Sequence, residues 1–167
     1  MVKKYPLEYM YTTLVDLLAD RDITPHDLAQ AAYDNQKKYH IPYTERDFEG
    51  FTDHVLHNIN VLNLAVTGLS IDNQANRGQF PEPLQTLLKE DAPAYSVDET
   101  LAMAIAGTYS PIGVTNYGNA DCNKTDIAKR LDNQKDKVNV FADDIVNGIV
   151  GAIAGYVINL VSGQVLN

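Results

Sequence analysis

Two adjacent acids, Asp143 and Asp144, stand just inside the most apolar stretch of this chain, Phe141-Ala142-Asp143-Asp144-Ile145-Val146-Asn147-Gly148. Neighbouring residues of a helix point about 100° apart, so a helix at the centre of a fold cannot easily turn both carboxylates to bulk water. A buried carboxylate is instead protonated, paired or bound to a cation. A hard divalent ion such as Mg²⁺ suits the pair, because it prefers oxygen ligands, uses few protein carboxylates and keeps several waters. Asp98 and Glu99 form a second acid pair, and Asp121 and Asp132 lie in the polar segment between the two. Six carboxylates can therefore face one site. Asp98 and Glu99 also admit a purely structural reading: Ser96-Val97-Asp98-Glu99 has the form of a capping box, and Asp98 suits the positive end of a helix. On the same reading Asp121 and Asp132 are solvated loop acids.

Other groupings carry less chemistry. His54 and His57 stand three apart on a helical pattern, but no third ligand with zinc spacing accompanies them, and a solvent-facing pair is expected. There is no glycine-rich phosphate loop, no nucleophile-elbow serine and no Cys/His arrangement for covalent catalysis. The single cysteine, Cys122, cannot form an internal disulfide and reads as a small filler residue, which fits a cytoplasmic setting. Thirteen Lys plus Arg stand against 22 Asp plus Glu, a formal charge of −9, with basic residues adjacent only in pairs. That balance excludes a phosphate-backbone grip, so nucleic acid is not an expected partner. Anionic lipid would also be repelled unless a divalent cation or an apolar face mediated the contact. Met1 to Pro6 is followed by Glu8 and an amphipathic pattern rather than a signal-peptide apolar core, so secretion is not expected.

The elements that must position these acids are helices. Leu7, Met10, Tyr11, Leu14, Leu17 and Leu18 repeat at helical spacing, which predicts a helix over about 6–19. Thr24-Pro25-His26-Asp27 opens a second, running to about Lys38, and Thr44-Glu45-Arg46-Asp47 opens a third. A fourth runs from about Asn60 to Asn76, Pro81 and Pro83 break the chain, and a short helix follows at Leu84 to Leu88. The Ser96 signal opens an apolar run through Ile105, and Ser110-Pro111 marks the next boundary. The last helix begins near Asn139 and carries no charge from Ile145 to Asn167. Its length would cross a bilayer, and Gly151 and Gly155 form a small-xxx-small pair, yet Asn147, Asn159, Ser162 and Gln164 dilute it. A buried core helix is the expectation. With 45% hydrophobic residues, the 167-residue chain reads as one all-α domain, 1–167, a multihelical bundle of six or more helices with the apolar C-terminal helix at its centre. A face shared between subunits would also explain that uncharged length, so a homo-oligomer is expected.

Several segments in order, Pro83-Leu84-Gln85, Val97-Asp98-Glu99, Gly113-Val114-Thr115-Asn116-Tyr117-Gly118, Asp121-Cys122-Asn123-Lys124, Leu131-Asp132 and Asp143-Asp144-Ile145-Val146-Asn147-Gly148, resemble the phosphatidylglycerophosphatase A family in its short, soluble branch, which carries a low-temperature requirement label. The resemblance runs from about 81 to 161 and, more loosely, into the N-terminal helices. It implies an Mg²⁺-dependent phosphatase that removes the terminal phosphate of phosphatidylglycerophosphate in phospholipid synthesis. Carried over by position, it implies Asp98, Glu99, Asp143 and Asp144 as metal ligands and Asp121, Lys124, Asp132, Asp143 and Asp144 as catalytic groups. Lys124 would stabilise phosphate oxygens, and one aspartate would orient or deprotonate water, with a covalent aspartyl-phosphate as the other route. The implied substrate is a phospholipid phosphate, met in the cytoplasm or by peripheral contact at the inner face of the membrane.

The chain departs from the membrane-embedded members where Gly118 replaces an arginine and Thr125 a proline. A lost guanidinium removes bidentate phosphate recognition. Two further expectations therefore stand beside the phosphatase: a non-catalytic helical regulator or assembly protein that keeps the metal site, and an acid-rich phosphohydrolase acting on nucleotides.

Overall fold

The computed structural model describes residues 4–134 and 136–163, apart from the side chain of Asp132. Among these residues there are nine α-helices and no strand: α1 Leu7–Ala19, α2 Pro25–Gln36, α3 Glu45–Leu56, α4 Ile59–Asn76, α5 Leu84–Lys89, α6 Val97–Ala106, α7 Pro111–Asn123, α8 Asp126–Asp132 and α9 Val140–Val161. A single 3₁₀ turn, Lys37–Tyr39, finishes α2. The all-α expectation holds, and the early boundaries fall close to those the caps announce. Thr24 accepts the Asp27 amide while the Asp27 carboxylate accepts the Thr24 amide, so α2 starts with both orphan donors satisfied.

Helix α9 is the axis of the bundle. It packs against α2, α3, α4, α6, α7 and α8, and almost every residue from Val140 to Val157 is buried. Among the described residues it is the helix long and apolar enough to cross a bilayer, and 78% of its apolar window lies inside the fold. A helix surrounded by six others needs an apolar surface on every side, which is why its sequence lacks an amphipathic stripe.

The small residues of α9 are spent within the molecule. A Cβ on Gly148 would stand 2.7 Å from the Ala102 carbonyl of α6, and one on Gly151 would stand 2.6 Å from the Gly113 carbonyl of α7. A Cβ on Gly113 would collide with the Ala106 carbonyl. The backbones of α6, α7 and α9 thus meet along a seam of glycine and alanine, the close approach that small-xxx-small spacing permits in any apolar surrounding. The seam holds together the three helices that carry most of the candidate acids.

Three elements differ from the sequence reading. Residues 126–132 form helix α8 where a polar loop is expected, so Asp132 ends a helix. Residues 111–123 form helix α7 rather than polar loop, so Asp121 is a helical residue; Cys122 beside it is exposed and fills nothing. Ser96 adopts a left-handed backbone with φ of 50°, and its side chain makes no capping bond. A capping hydroxyl needs an extended residue at that position, so the Ser96 to Glu99 box does not form and Glu99 is released from a structural duty.

Candidate functional site

Asp98 and Glu99 lie in the first turn of α6, Asp121 in the last turn of α7, and Asp143 and Asp144 in the first turn of α9. α6 and α7 run antiparallel as consecutive helices, which brings the start of one beside the end of the other, and the α9 start packs against both. All five acids line one pocket of about 140 Å³, together with Asp91, Ser96 and Val140. Five of the six acids singled out from spacing therefore converge. The sixth, Asp132, closes α8, and its side chain lies outside the described residues.

Lys124 approaches from the other side. Its Nζ stands 3.8 Å from Asp143 Oδ2, and the Asp143 side chain is 17% exposed. The N-terminus of α9 is fixed by a residue that sequence reasoning missed: Asp72 of α4, fully buried, accepts hydrogen bonds from the amides of Phe141 at 3.1 Å and Ala142 at 2.9 Å. Asn139 precedes α9 without capping it, so this cap is supplied from another helix. Arg21 stands 3.9 Å from Asp72 and donates to the Leu17 carbonyl and Asn73 Oδ1.

Electrostatically the pocket is frustrated. Burial pushes the Asp144 carboxyl up to about 7; the Tyr117 hydroxyl, donating to Oδ1 at 2.7 Å, pulls it down, while the charges of Asp98, Asp121 and Glu99 push it further up. Burial also raises Asp98, with Asp91 and Glu99 adding to the effect against two backbone amides. Asp98 Oδ1 is buried with no hydrogen-bond partner. Crowded carboxylates that are desolvated, mutually repelling and short of donors are what a divalent cation relieves. Among the described residues no three acids or imidazoles are already drawn into a metal cage. The donor set fits a hard cation in chemistry and leaves its coordination to side-chain rotation.

Tyr117 and Asp91 escaped the sequence reading. Glu90-Asp91 is a third adjacent acid pair and could have been noticed as such, whereas only the fold reveals that Tyr117 faces Asp144. Asn147, fully buried one turn after Asp143, accepts from Thr125 Oγ1 at 3.3 Å and leaves its Nδ2 without a partner. The histidines take no part: His54 stacks on Tyr156 and His57 on Tyr11, with centroids 4.4 Å and 4.0 Å apart.

The family model for Phosphatidylglycerophosphatase A matches residues 24–159. The chain is 33% identical to YpjQ of Bacillus subtilis (strain 168), over 92% of this chain and 86% of YpjQ. It is 38% identical to YutG of the same organism, over 81% of this chain and 82% of YutG. The fold superposes on the crystal structure of YpjQ with a TM-score of 0.89, covering 96% of this chain and 100% of that one at 30% identity. On the low temperature requirement C protein of Listeria monocytogenes the TM-score is 0.86, covering 96% and 99% at 31% identity. With the family model matching residues 24–159 and this likeness running through nearly its whole length, the chain belongs to the phosphatidylglycerophosphatase A family.

Proposed function

We propose that the protein is a phosphatidylglycerophosphatase-like phosphomonoester hydrolase that uses Mg²⁺ to remove a terminal phosphate. The observation that carries this reading is the convergence of five carboxylates from three helices on one pocket, with a buried Asp98 oxygen lacking a partner and the Lys124 ammonium beside Asp143.

In this reading Asp98, Glu99, Asp143 and Asp144 hold the ion. When bound, Mg²⁺ supplies charge neutralisation at the phosphate oxygens and lowers the pKa of water. The chain's own groups do the rest. Lys124 offers its ammonium to a phosphate oxygen, and Asp121, at the pocket wall, orients the attacking water and takes its proton. The new bond forms between that water oxygen and phosphorus, the ester bond breaks, and the released alcohol oxygen takes up a proton. Tyr117 keeps Asp144 in one orientation through its 2.7 Å bond. Phosphoryl transfer asks little more of a protein than positioning and charge stabilisation, which suits a site made of acids and one lysine. The lipid substrate is met by peripheral contact at the cytoplasmic face of the membrane.

The deciding assay is phosphate release from phosphatidylglycerophosphate in detergent micelles, with and without Mg²⁺, for the wild type and Asp143→Asn. Mg²⁺-dependent release that falls at least about 100-fold in the folded variant supports the reading. Gly118 favours a second one: it is exposed on α7 with open space around it, so no cation stands where membrane-embedded relatives carry arginine. A folded protein that binds Mg²⁺ without releasing phosphate would make it a regulatory or assembly protein on this scaffold.

A further inference from the structure

A separate pocket of about 290 Å³ opens where the ends of α1 and α4 meet the segment that leads into α9, and it shares no residue with the acid pocket. Its lining reverses the balance of the chain. Arg21, Arg77 and Lys137 face one acid, Asp20, with amide side chains between them, in a protein of formal charge −9. The three cations come from three places in the sequence: Arg21 lies just past α1, Arg77 ends α4, and Lys137 stands three residues before Val140, where α9 begins. The backbone beside Lys137 is held in place. The Val138 amide donates to Asn76 Oδ1 at 2.8 Å, and Asn76 Nδ2 donates to the Val138 carbonyl at 2.9 Å, which ties the lead-in of α9 to the last turn of α4.

The positive charge here is short of partners. Arg21 is 3% exposed, its nearest carboxylate, Asp72, stands 3.9 Å away, its short hydrogen bonds go to the neutral Leu17 carbonyl and Asn73 Oδ1, and its Nε has no acceptor. Burial pulls its pKa down, against the opposing charges of Asp72 and Asp20. Among the described residues the Arg77 and Lys137 side chains form no ion pair and no hydrogen bond. Asn73 spends its oxygen on Arg21, which leaves its NH₂ group uncommitted at the pocket. Arg77 also complements the negative end of α4, but Lys137 stands outside any helix and has no such duty. A guanidinium, an ammonium and an amide NH₂ over a buried positive charge are satisfied together by one compact anion with oxygens on several sides, and the guanidinium fork suits phosphate. We propose that this pocket is an effector site for a phosphoryl group, carried by inorganic phosphate or by a small phosphomonoester, which bridges Arg77 and Lys137 and clamps the lead-in of α9. The clamp acts at a distance from the chemistry. Residues 136–139 deliver the first turn of α9, which carries Asp143 and Asp144, so an anion bound between α4 and Lys137 steadies that turn without touching the acids. The site stands independently of the reaction proposed above.

Calorimetric titration of the intact protein in EDTA at low salt tests it, with inorganic phosphate and glycerol 3-phosphate as probes, for the wild type, Arg77→Ala, Lys137→Ala and Lys38→Ala. Without a divalent ion the five carboxylates repel both probes. Lys38→Ala reports on phosphate held instead by the groove of about 760 Å³ between α2 and the turn joining α7 to α8. All three substituted side chains are exposed, so the variants keep the fold. Arg77→Ala and Lys137→Ala should each weaken binding about tenfold, Arg77→Lys should recover part of the loss, and Lys38→Ala should change nothing. Hydrogen exchange at the amides of residues 140–144 should slow when phosphate is added to the wild type and stay as it was in Lys137→Ala. Absence of binding by both probes overturns the site. So does binding that Lys38→Ala weakens while Arg77→Ala and Lys137→Ala leave it intact. Phosphate binding that leaves the exchange of α9 unchanged overturns the clamp. Tighter binding of inorganic phosphate upholds the site for the free anion, and tighter binding of glycerol 3-phosphate upholds it for an ester.

Discussion

The cap that Asp72 places on α9 is the contact through which a substitution far from the acids should reach them. Replacing Asp72 by alanine leaves the amides of Phe141 and Ala142 without an acceptor at a buried helix start, and takes the carboxylate from Arg21, itself 3% exposed. Loss of a cap costs about 1–2 kcal/mol. Stranding a buried charge costs about 3–5 kcal/mol, here toward the lower end because Arg21 keeps the Leu17 carbonyl and Asn73 as acceptors. Together they predict a loss of about 4 kcal/mol, a large share of the roughly 5–15 kcal/mol typical of a domain. Burial pushes the Asp72 carboxyl up to about 7, against the pull of the two amides and Arg21, so its neutral form is already close in energy. Asn keeps an oxygen for one of the two amides but sets its NH₂ against the other and removes the same charge from beside Arg21, so Asp72→Asn should lose about 3 kcal/mol. Urea unfolding followed by far-UV circular dichroism measures both. With a slope of about 2 kcal/mol/M, the alanine midpoint should fall by about 2 M and the asparagine midpoint by about 1.5 M. An alanine variant within about 1 kcal/mol of wild type would refute the argument, since the first turn of α9 would then be held by something other than Asp72.

The seam of small residues makes a paired prediction. Gly113→Ala drives a methyl into the Ala106 carbonyl, with the Gly151 carbonyl 2.9 Å away, and should lower stability by about 3 kcal/mol or more; Gly118→Ala, with nothing within 4 Å, should raise it by up to about 1 kcal/mol. Thermal melts that rank the two alike would overturn the seam. The acid pocket predicts a pH dependence. Asp144 titrates near 7 when folded and near 3.8 when unfolded, so its contribution is complete below about 4 and is lost as pH rises through 7, by about 4 kcal/mol over the whole span. Asp72 acts in the same direction. Melting temperatures should therefore fall between pH 5 and 8 without divalent ions, and Mg²⁺ should recover much of the loss at pH 8 and little at pH 5. A Mg²⁺ effect independent of pH would count against carboxylates as the ligands.

What the sequence could and could not express follows from the range of each interaction. The start of α2 was legible because Thr24, Pro25 and Asp27 act within one turn, and the central place of α9 because twenty-odd residues without charge have few other homes. Helix α7 was not legible, since Gly113, Asn116, Gly118 and Asn119 give it neither an apolar stripe nor strong propensity; its helicity comes from packing on α6 and α9. The rivalry between capping and ligation for Glu99 turned on one dihedral of Ser96, which no spacing records. Asp72 reads as an isolated acid in an apolar helix until α9, some seventy residues later, presents its bare amides to it. Convergence of four of the five acids was foreshadowed by their adjacency in pairs, whereas Tyr117 was recognisable only from what it touches.

The contrast between the two walls of Asp143 bears on how such a protein diverges. Toward α6 and α7, main chain rests on main chain at Gly113, Gly148 and Gly151, so hardly any side chain can be enlarged there without parting the helices that hold the acids. Toward α2 and α8 the boundary is an open groove of about 760 Å³ lined by charged side chains and amides, where a substitution meets few packed neighbours. Drift is thereby channelled to one side. Descendants of this sequence can change what lines the groove through α2 and the α7–α8 turn while the five acids stay as they were inherited.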